Sequence, residues 1–123
     1  MITRDTIIEF FKDVEQGNEF NTSDKLLWSY FFLDSDMEKL KKFSNKLEEL
    51  GFKFKTIFNA DKINKDDIQE YYLQVEKIEL HDVDTLFNLN KMFYKLAEEN
   101  NINSYDGFDV GNIINFESIV NKS

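Results

Sequence analysis

One histidine, His81, and two close carboxylate pairs, Asp34/Asp36 and Asp82/Asp84, are the side chains from which acid–base or metal chemistry would have to start. The chain has no cysteine, which removes disulfides, thiolate ligands and a cysteine nucleophile. A lone histidine without cysteines or carboxylates at ligand spacing does not build a zinc site. No motif places His81 in a Ser-His-Asp arrangement. It stands between Leu80 and Asp82, just ahead of a helix, and reads as a loop or capping residue. Neither aspartate pair has the mid-loop glycine and twelfth-position glutamate of a calcium loop. Both fall at helix starts, where the helix dipole favours negative charge. There is no glycine-rich phosphate loop and no G-x-S-x-G elbow. Two carboxylates for glycoside chemistry can meet from any distance in sequence, but nothing singles out a pair. The residues therefore predict no catalytic group, no metal and no cofactor.

What remains is Tyr105-Asp106-Gly107-Phe108. Asp-Gly signals a turn or a bulge, because glycine accepts positive φ without a steric penalty. One reading is a structural bend in the last strand. The other is an exposed aromatic and acidic ridge used in binding, since aromatics concentrate energy at interfaces.

The elements that would carry these residues follow from periodicity. Residues 3–16 place Ile7, Phe10, Phe11 and Val14 on one helical face, with Thr6 and Glu9 as a possible cap and Gly17 as the stop. Residues 26–33, LLWSYFFL, are apolar throughout and bounded by charge, the mark of a central strand buried on both faces. Residues 35–50 form the clearest helix. Ser35 and Glu38 make a capping box, Met37, Leu40, Phe43, Leu47 and Leu50 recur at helical spacing, and Gly51 ends it. In the following strand Phe52, Phe54 and Phe58 alternate with polar residues. Residues 59–68 are a polar connection. A third strand over 69–80 sets Tyr71, Leu73 and Val75 against Tyr72, Gln74 and Glu76, and a phase change at Ile78 and Leu80 signals a bulge or the strand's end. Asp82 caps a helix whose buried face runs from Val83 through Leu86, Phe87, Asn90, Phe93, Leu96 and Ala97. A short strand over 103–110 and a polar tail, 113–123, suited to one more short helix, complete the chain.

Strand-helix-strand-strand-helix-strand is the ferredoxin-like pattern. The expected fold is α+β: a four-stranded antiparallel sheet, first and third strands in the middle, two helices on one face, plus an extra N-terminal helix. One domain is expected over 1–123, with its core at about 24–112. If Trp28, Tyr30 and Phe32 face the helices, then Leu27, Phe31 and Leu33 face away, and a bare apolar patch of that kind is rare on a monomer. The N-terminal helix is the nearest cover; the tail, a partner protein or a second copy are the others.

With 24 acidic and 15 basic side chains the formal net charge is −9. That opposes nucleic acid and anionic membranes and favours a basic partner. The third strand, YYLQVEKIEL, lacks the Gly-Phe-aromatic motif and basic flanks of RNA-recognition domains. No stretch reaches the ~18 apolar residues of a membrane span. Residues 1–14 have no unbroken apolar run, so no secretory leader is expected. Cytoplasmic residence is the expectation.

Three runs in order resemble the RraB-like family of ribonuclease E inhibitors: LLWSYFFLDSDMEKLKKFSNKLEELGFKFKTIF, YYLQVEKIELHDVDTLFNLNKMFYKLAEENN and YDGFDVGNI. The family's final strand carries Tyr-Asp-Gly-aromatic, matched here by Tyr105, Asp106, Gly107 and Phe108. The resemblance covers about residues 24–112. It implies a ferredoxin-like fold and inhibition by protein contact, outside the catalytic core of the ribonuclease, with those four residues as partner-binding candidates. The best-known members carry a long acidic C-terminal tail, whereas the last residues here, NFESIVNKS, carry little charge. The fold therefore transfers better than the target. The rival expectations are an immunity protein that neutralises a basic toxin, and a small ligand-binding domain or enzyme with its site on the open sheet face. A monomer and a homodimer both fit.

Overall fold

The computed structural model describes residues 1–17 and 21–111. The tail at 113–123 lies outside them. The elements in chain order are α1 (Arg4–Gly17), β1 (Leu26–Asp34), α2 (Met37–Glu49), β2 (Lys53–Asn59), β3 (Tyr71–Glu79), α3 (Val83–Glu99) and β4 (Ser104–Gly111). The four strands form one antiparallel sheet in the order β2-β3-β1-β4. This is an α+β fold with the aromatic strand β1 in the interior of the sheet.

Burial alternates residue by residue along β1. Trp28, Tyr30 and Phe32 face the helices and are fully buried. The Phe93 ring of α3 lies 4.8 Å from Tyr30 and 5.3 Å from Phe32, and Phe43 of α2 lies 4.9 Å from Phe32. Rings meeting edge to face at these separations add to the apolar area they bury. Leu27, Ser29, Phe31 and Leu33 point the other way and are only half-buried.

Helix α1 does not cover that second face. Its Phe10 and Phe11 rings sit 5.9 and 6.2 Å from Trp28, so it packs on the same side as α2 and α3, against α3. The reason is local. The rings of α2 and α3 reach Tyr30 and Phe32, and the larger Trp28, nearer the start of β1, is sealed by the apolar stripe of α1 instead.

The N-cap of α2 is Asp36, whose carboxylate accepts from the Lys39 backbone N–H at 3.2 Å. It is not the expected Ser35–Glu38 box. Asp34 accounts for the shift, because its Oδ1 accepts the Asp36 backbone N–H at 2.8 Å and aims Asp36 at the helix. Gly51 leaves α2 at φ +97°, a conformation glycine tolerates. Asp82 caps α3 as expected, in a reciprocal box with Thr85.

Both outer strands are bulged. In β2, Phe54 faces Val75 and Thr56 faces Gln74, which leaves Lys55 as the extra residue. The simple alternation read from the sequence therefore breaks. Ile57 falls opposite Leu73, on the helix side, and Phe58 falls opposite Tyr72, on the second face. In β4, Phe31 faces Gly107 and Phe32 faces Tyr105, so Asp106 is extra. Strand β3 pairs with β1 without any register shift as far as Glu79. The phase change at Ile78 is thus no bulge: Ile78 lies opposite Leu27 on the second face and is 42% exposed.

Candidate functional site

His81 is not a bland loop residue. Its ring is buried at the junction of β3 and α3, edge-on to Trp28 at 5.1 Å. Nε2 lies 2.8 Å from Glu79 Oε2 and 3.1 Å from the Tyr30 hydroxyl, and Nδ1 lies 3.1 Å from Thr85 Oγ1. The Tyr30 hydroxyl also donates to Glu79 Oε2, at 3.1 Å. Burial pushes the Tyr30 hydroxyl far above the usual tyrosine range, and the Glu79 charge adds to this. Burial also pushes the Glu79 carboxyl up, but the hydrogen bonds and charges of His81 and Lys77 outweigh it and hold it below its ordinary value. Each polar group in this knot is matched by another, and these bonds offset the desolvation of polar atoms beside Trp28. The knot has the composition of acid–base machinery and the connectivity of a structural support.

Asp34 is a second buried carboxylate, 1% exposed. It accepts from the Asp36 and Asn103 backbone N–H groups at 2.8 and 3.0 Å, and Lys39 Nζ lies 2.9 Å away. Burial pushes its pKa up, but these partners outweigh burial and hold it below the ordinary value. It ties the end of β1 to the start of α2 and to the approach to β4. Neither aspartate pair gathers into a metal cage: among the described residues no group of three or more His, Cys, Asp or Glu is placed to hold an ion.

The four signature residues divide between the two sides of the sheet. Tyr105 is buried against Phe32, Phe93 and Tyr94, and its hydroxyl is enclosed, so it forms no part of an exposed ridge. The Phe108 ring packs on Phe10 and Trp28, also on the helix side. Gly107 sits at φ +129°, a value that L side chains rarely adopt, and makes the bulge possible. That bulge turns out Asp106, the one exposed member of the four. Pairing across the sheet explains the division: the aromatics on either side of the bulge both oppose inward-facing residues of β1.

Asp106 does not stand alone. The Tyr72 hydroxyl reaches across β1 and donates to Asp106 Oδ2 at 3.0 Å. The Phe58 ring lies 5.4 Å from the Tyr72 ring with only a 30° tilt between them. Phe31, Phe58, Tyr72, Asp106 and Gly107 line a groove of about 460 Å³, closed at the β4 margin by Ile2, Thr6, Phe10 and Phe108. The Tyr72 hydroxyl is pushed up by burial, by its bond to Asp106, and by the charges of Asp106, Glu70 and Asp61. Asp106 bonds this phenol directly while Glu70 and Asp61 act on it through their charge, so it stays protonated as a donor. Beside this groove the 60–70 loop holds Asp61, Asp66, Asp67 and Glu70, with Lys62 among them, around a second hollow of about 540 Å³, and presents Ile63 and Ile68 at 94% and 79% exposure.

Periodicity alone did not reveal Phe58 and Tyr72 as a pair. Tyr72 was legible on the polar face of its strand, but Phe58 joins it only because of the bulge at Lys55. The resulting surface is broad, open and aromatic with an acidic end. Exposed rings beside carboxylates have the composition of an interaction surface.

Among the described residues no helix is long and apolar enough to cross a membrane. A search of curated proteins finds no match. A family profile described as regulator of ribonuclease activity B, RraB, matches residues 6–110.

Proposed function

The chain belongs to the RraB family, the regulators of ribonuclease activity B, and from that premise we propose that it is a non-enzymatic protein that regulates an RNA-degrading enzyme of the ribonuclease E type by binding it. The observation that carries this reading is the second sheet face. It leaves Phe31, Phe58 and Tyr72 in an open groove that α1 only borders, through Thr6 and Phe10, with Asp106 in its lining and Glu70 and Asp61 in the neighbouring hollow. Exposed aromatics of this kind mark interaction surfaces, and the surrounding carboxylates select a basic partner and speed its approach. The strand order supports a ferredoxin-like arrangement with α1 added on the helix side. Of the signature, Asp106 touches the partner, Gly107 shapes the bulge, and Tyr105 and Phe108 hold it from behind. Such a regulator works in the cytoplasm, where RNA is degraded.

The test is direct. Purified chain added to full-length ribonuclease from the same cells is expected to slow cleavage of a structured RNA and to co-elute with the enzyme. Unchanged cleavage together with separate elution removes the reading. The same acidic groove also favours a second one, an immunity protein for a basic toxin. Recovery of a toxin rather than a ribonuclease from the native cell would select it. A small-ligand site is favoured less, because the groove is open and few polar groups converge in it.

A further inference from the structure

We infer that Phe58, Tyr72 and Asp106 form a seat for an arginine side chain on the partner protein; this rests on the protein-binding reading above and names the chemistry that the groove selects. The two rings are tilted 30° to each other, 5.4 Å between centroids, and Phe58 is 40% exposed. A planar guanidinium stacks on such faces, where the ring quadrupole attracts it. Asp106 accepts the Tyr72 hydroxyl through Oδ2, and the exposed carboxylate keeps Oδ1 for a further donor. The phenol is thereby fixed as a donor to Asp106, which holds the carboxylate at the mouth of the groove.

Charge singles out the occupant. The bonded partner of Asp106 is a neutral phenol, and Asp61 and Glu70 share the neighbouring hollow of the 60–70 loop with Lys62. By contrast Asp34, Glu76 and Glu79 each have a lysine within salt-bridge distance. The chain thus sets a lysine against the carboxylates packed into the sheet, whereas the carboxylate that lines the groove, Asp106, is held by a neutral phenol and is open to a cation from elsewhere. Phosphate would be repelled by the three carboxylates. A second copy would set one acidic groove against another on a chain of net charge −9. A flexible ammonium satisfies one carboxylate oxygen but does not stack as a plane, so arginine is preferred to lysine.

Titration of the intact ¹⁵N-labelled chain with a blocked five-residue peptide containing two arginines, and with its lysine counterpart, tests this. Saturable shift changes are expected at residues 31, 58, 72 and 106–107, with the arginine peptide binding several-fold tighter. Phe58→Ala and Asp106→Asn are each expected to weaken it about fivefold or more, with thermal melts showing both variants folded. Shifts spread evenly over the acidic helix surfaces would overturn the seat, and so would equal binding of the two peptides. Concentration-dependent shifts at the same residues without peptide would reassign the groove to a second copy. Ribonuclease assays separate the two readings. If both variants slow the enzyme as well as the parent chain does, the arginine seat fails and the regulator stands. If the parent chain slows nothing yet binds the arginine peptide in the groove, the regulator fails and the seat stands.

Discussion

Phe31 and Phe32 are adjacent in the chain and lie on opposite sides of the sheet. Phe32 is fully buried among Phe43, Phe93 and Tyr105, whereas Phe31 lines an open groove. The same contrast recurs in the polar groups. Tyr30 and Tyr72 each donate to a carboxylate, Glu79 and Asp106. The first pair has a buried tyrosine and a half-buried carboxylate and is joined by a histidine, and the second is open to solvent at the rim of a groove. The chemistry is shared; the surroundings decide what it does. On the helix side a tyrosine and a carboxylate let polar atoms survive in a core. On the other side they are a preorganised surface.

If that division holds, matched substitutions on the two faces differ in kind. Phe32→Ala is expected to cost about 3–5 kcal/mol in urea unfolding, as a large ring leaving a packed core does. Phe31→Ala is expected to cost under about 1 kcal/mol and to weaken partner binding instead. Equal costs would mean that the open face is sealed in solution. Next in size, Asp34→Ala strands two backbone N–H groups and Lys39 and is expected to cost about 3 kcal/mol. Asp106→Ala should stay within about 0.5 kcal/mol yet reduce co-elution with the ribonuclease.

The buried side also carries the acid sensitivity. The Asp34 and Glu79 carboxyls are held below their ordinary values in the folded chain, so the unfolded chain takes up protons first as pH falls. Their contribution is complete above the unfolded carboxylate range, about pH 4, and is lost as pH drops through the folded values. The urea midpoint is therefore expected to fall below that range, less steeply in Asp34→Asn. A midpoint that is flat down to about pH 3 would contradict it. Smaller still, Tyr30→Phe leaves Glu79 and His81 short of a buried partner, at about 1–3 kcal/mol. Tyr72→Phe, the smallest effect, is expected to move the melt by no more than about 0.5 kcal/mol and to show only in binding.

The strong periodic signals translated directly into structure. The apolar run at 26–33 became an interior strand, the stripe from Leu40 to Leu47 became the buried face of α2, and Asp82 capped α3. What stayed hidden depends on neighbours in space. Nothing in IIEFF says that Trp28 will be its partner, so α1 was expected on the wrong side. His81 looked idle because Tyr30, the hydroxyl it meets, is 51 residues away. Phe58 was assigned by parity, and parity fails at a bulge that leaves no mark in KFKTIF. The Asp-Gly at 106–107 did mark its own bulge. Which flanking aromatics would face inward followed from strand pairing, and the dipeptide carried no sign of it.

The two bulges sit on the outermost strands, and each interrupts the straight row of amides along which a foreign strand could add. Growth of the sheet from its margins is thereby discouraged, in a chain rich enough in phenylalanine to be at risk of fibre formation. The proposed binding surface lies instead on the flat of the sheet, where contacts would be made by side chains alone. A partner seated there leaves every strand-to-strand hydrogen bond in place, so capture and release need no melting and refolding of the scaffold.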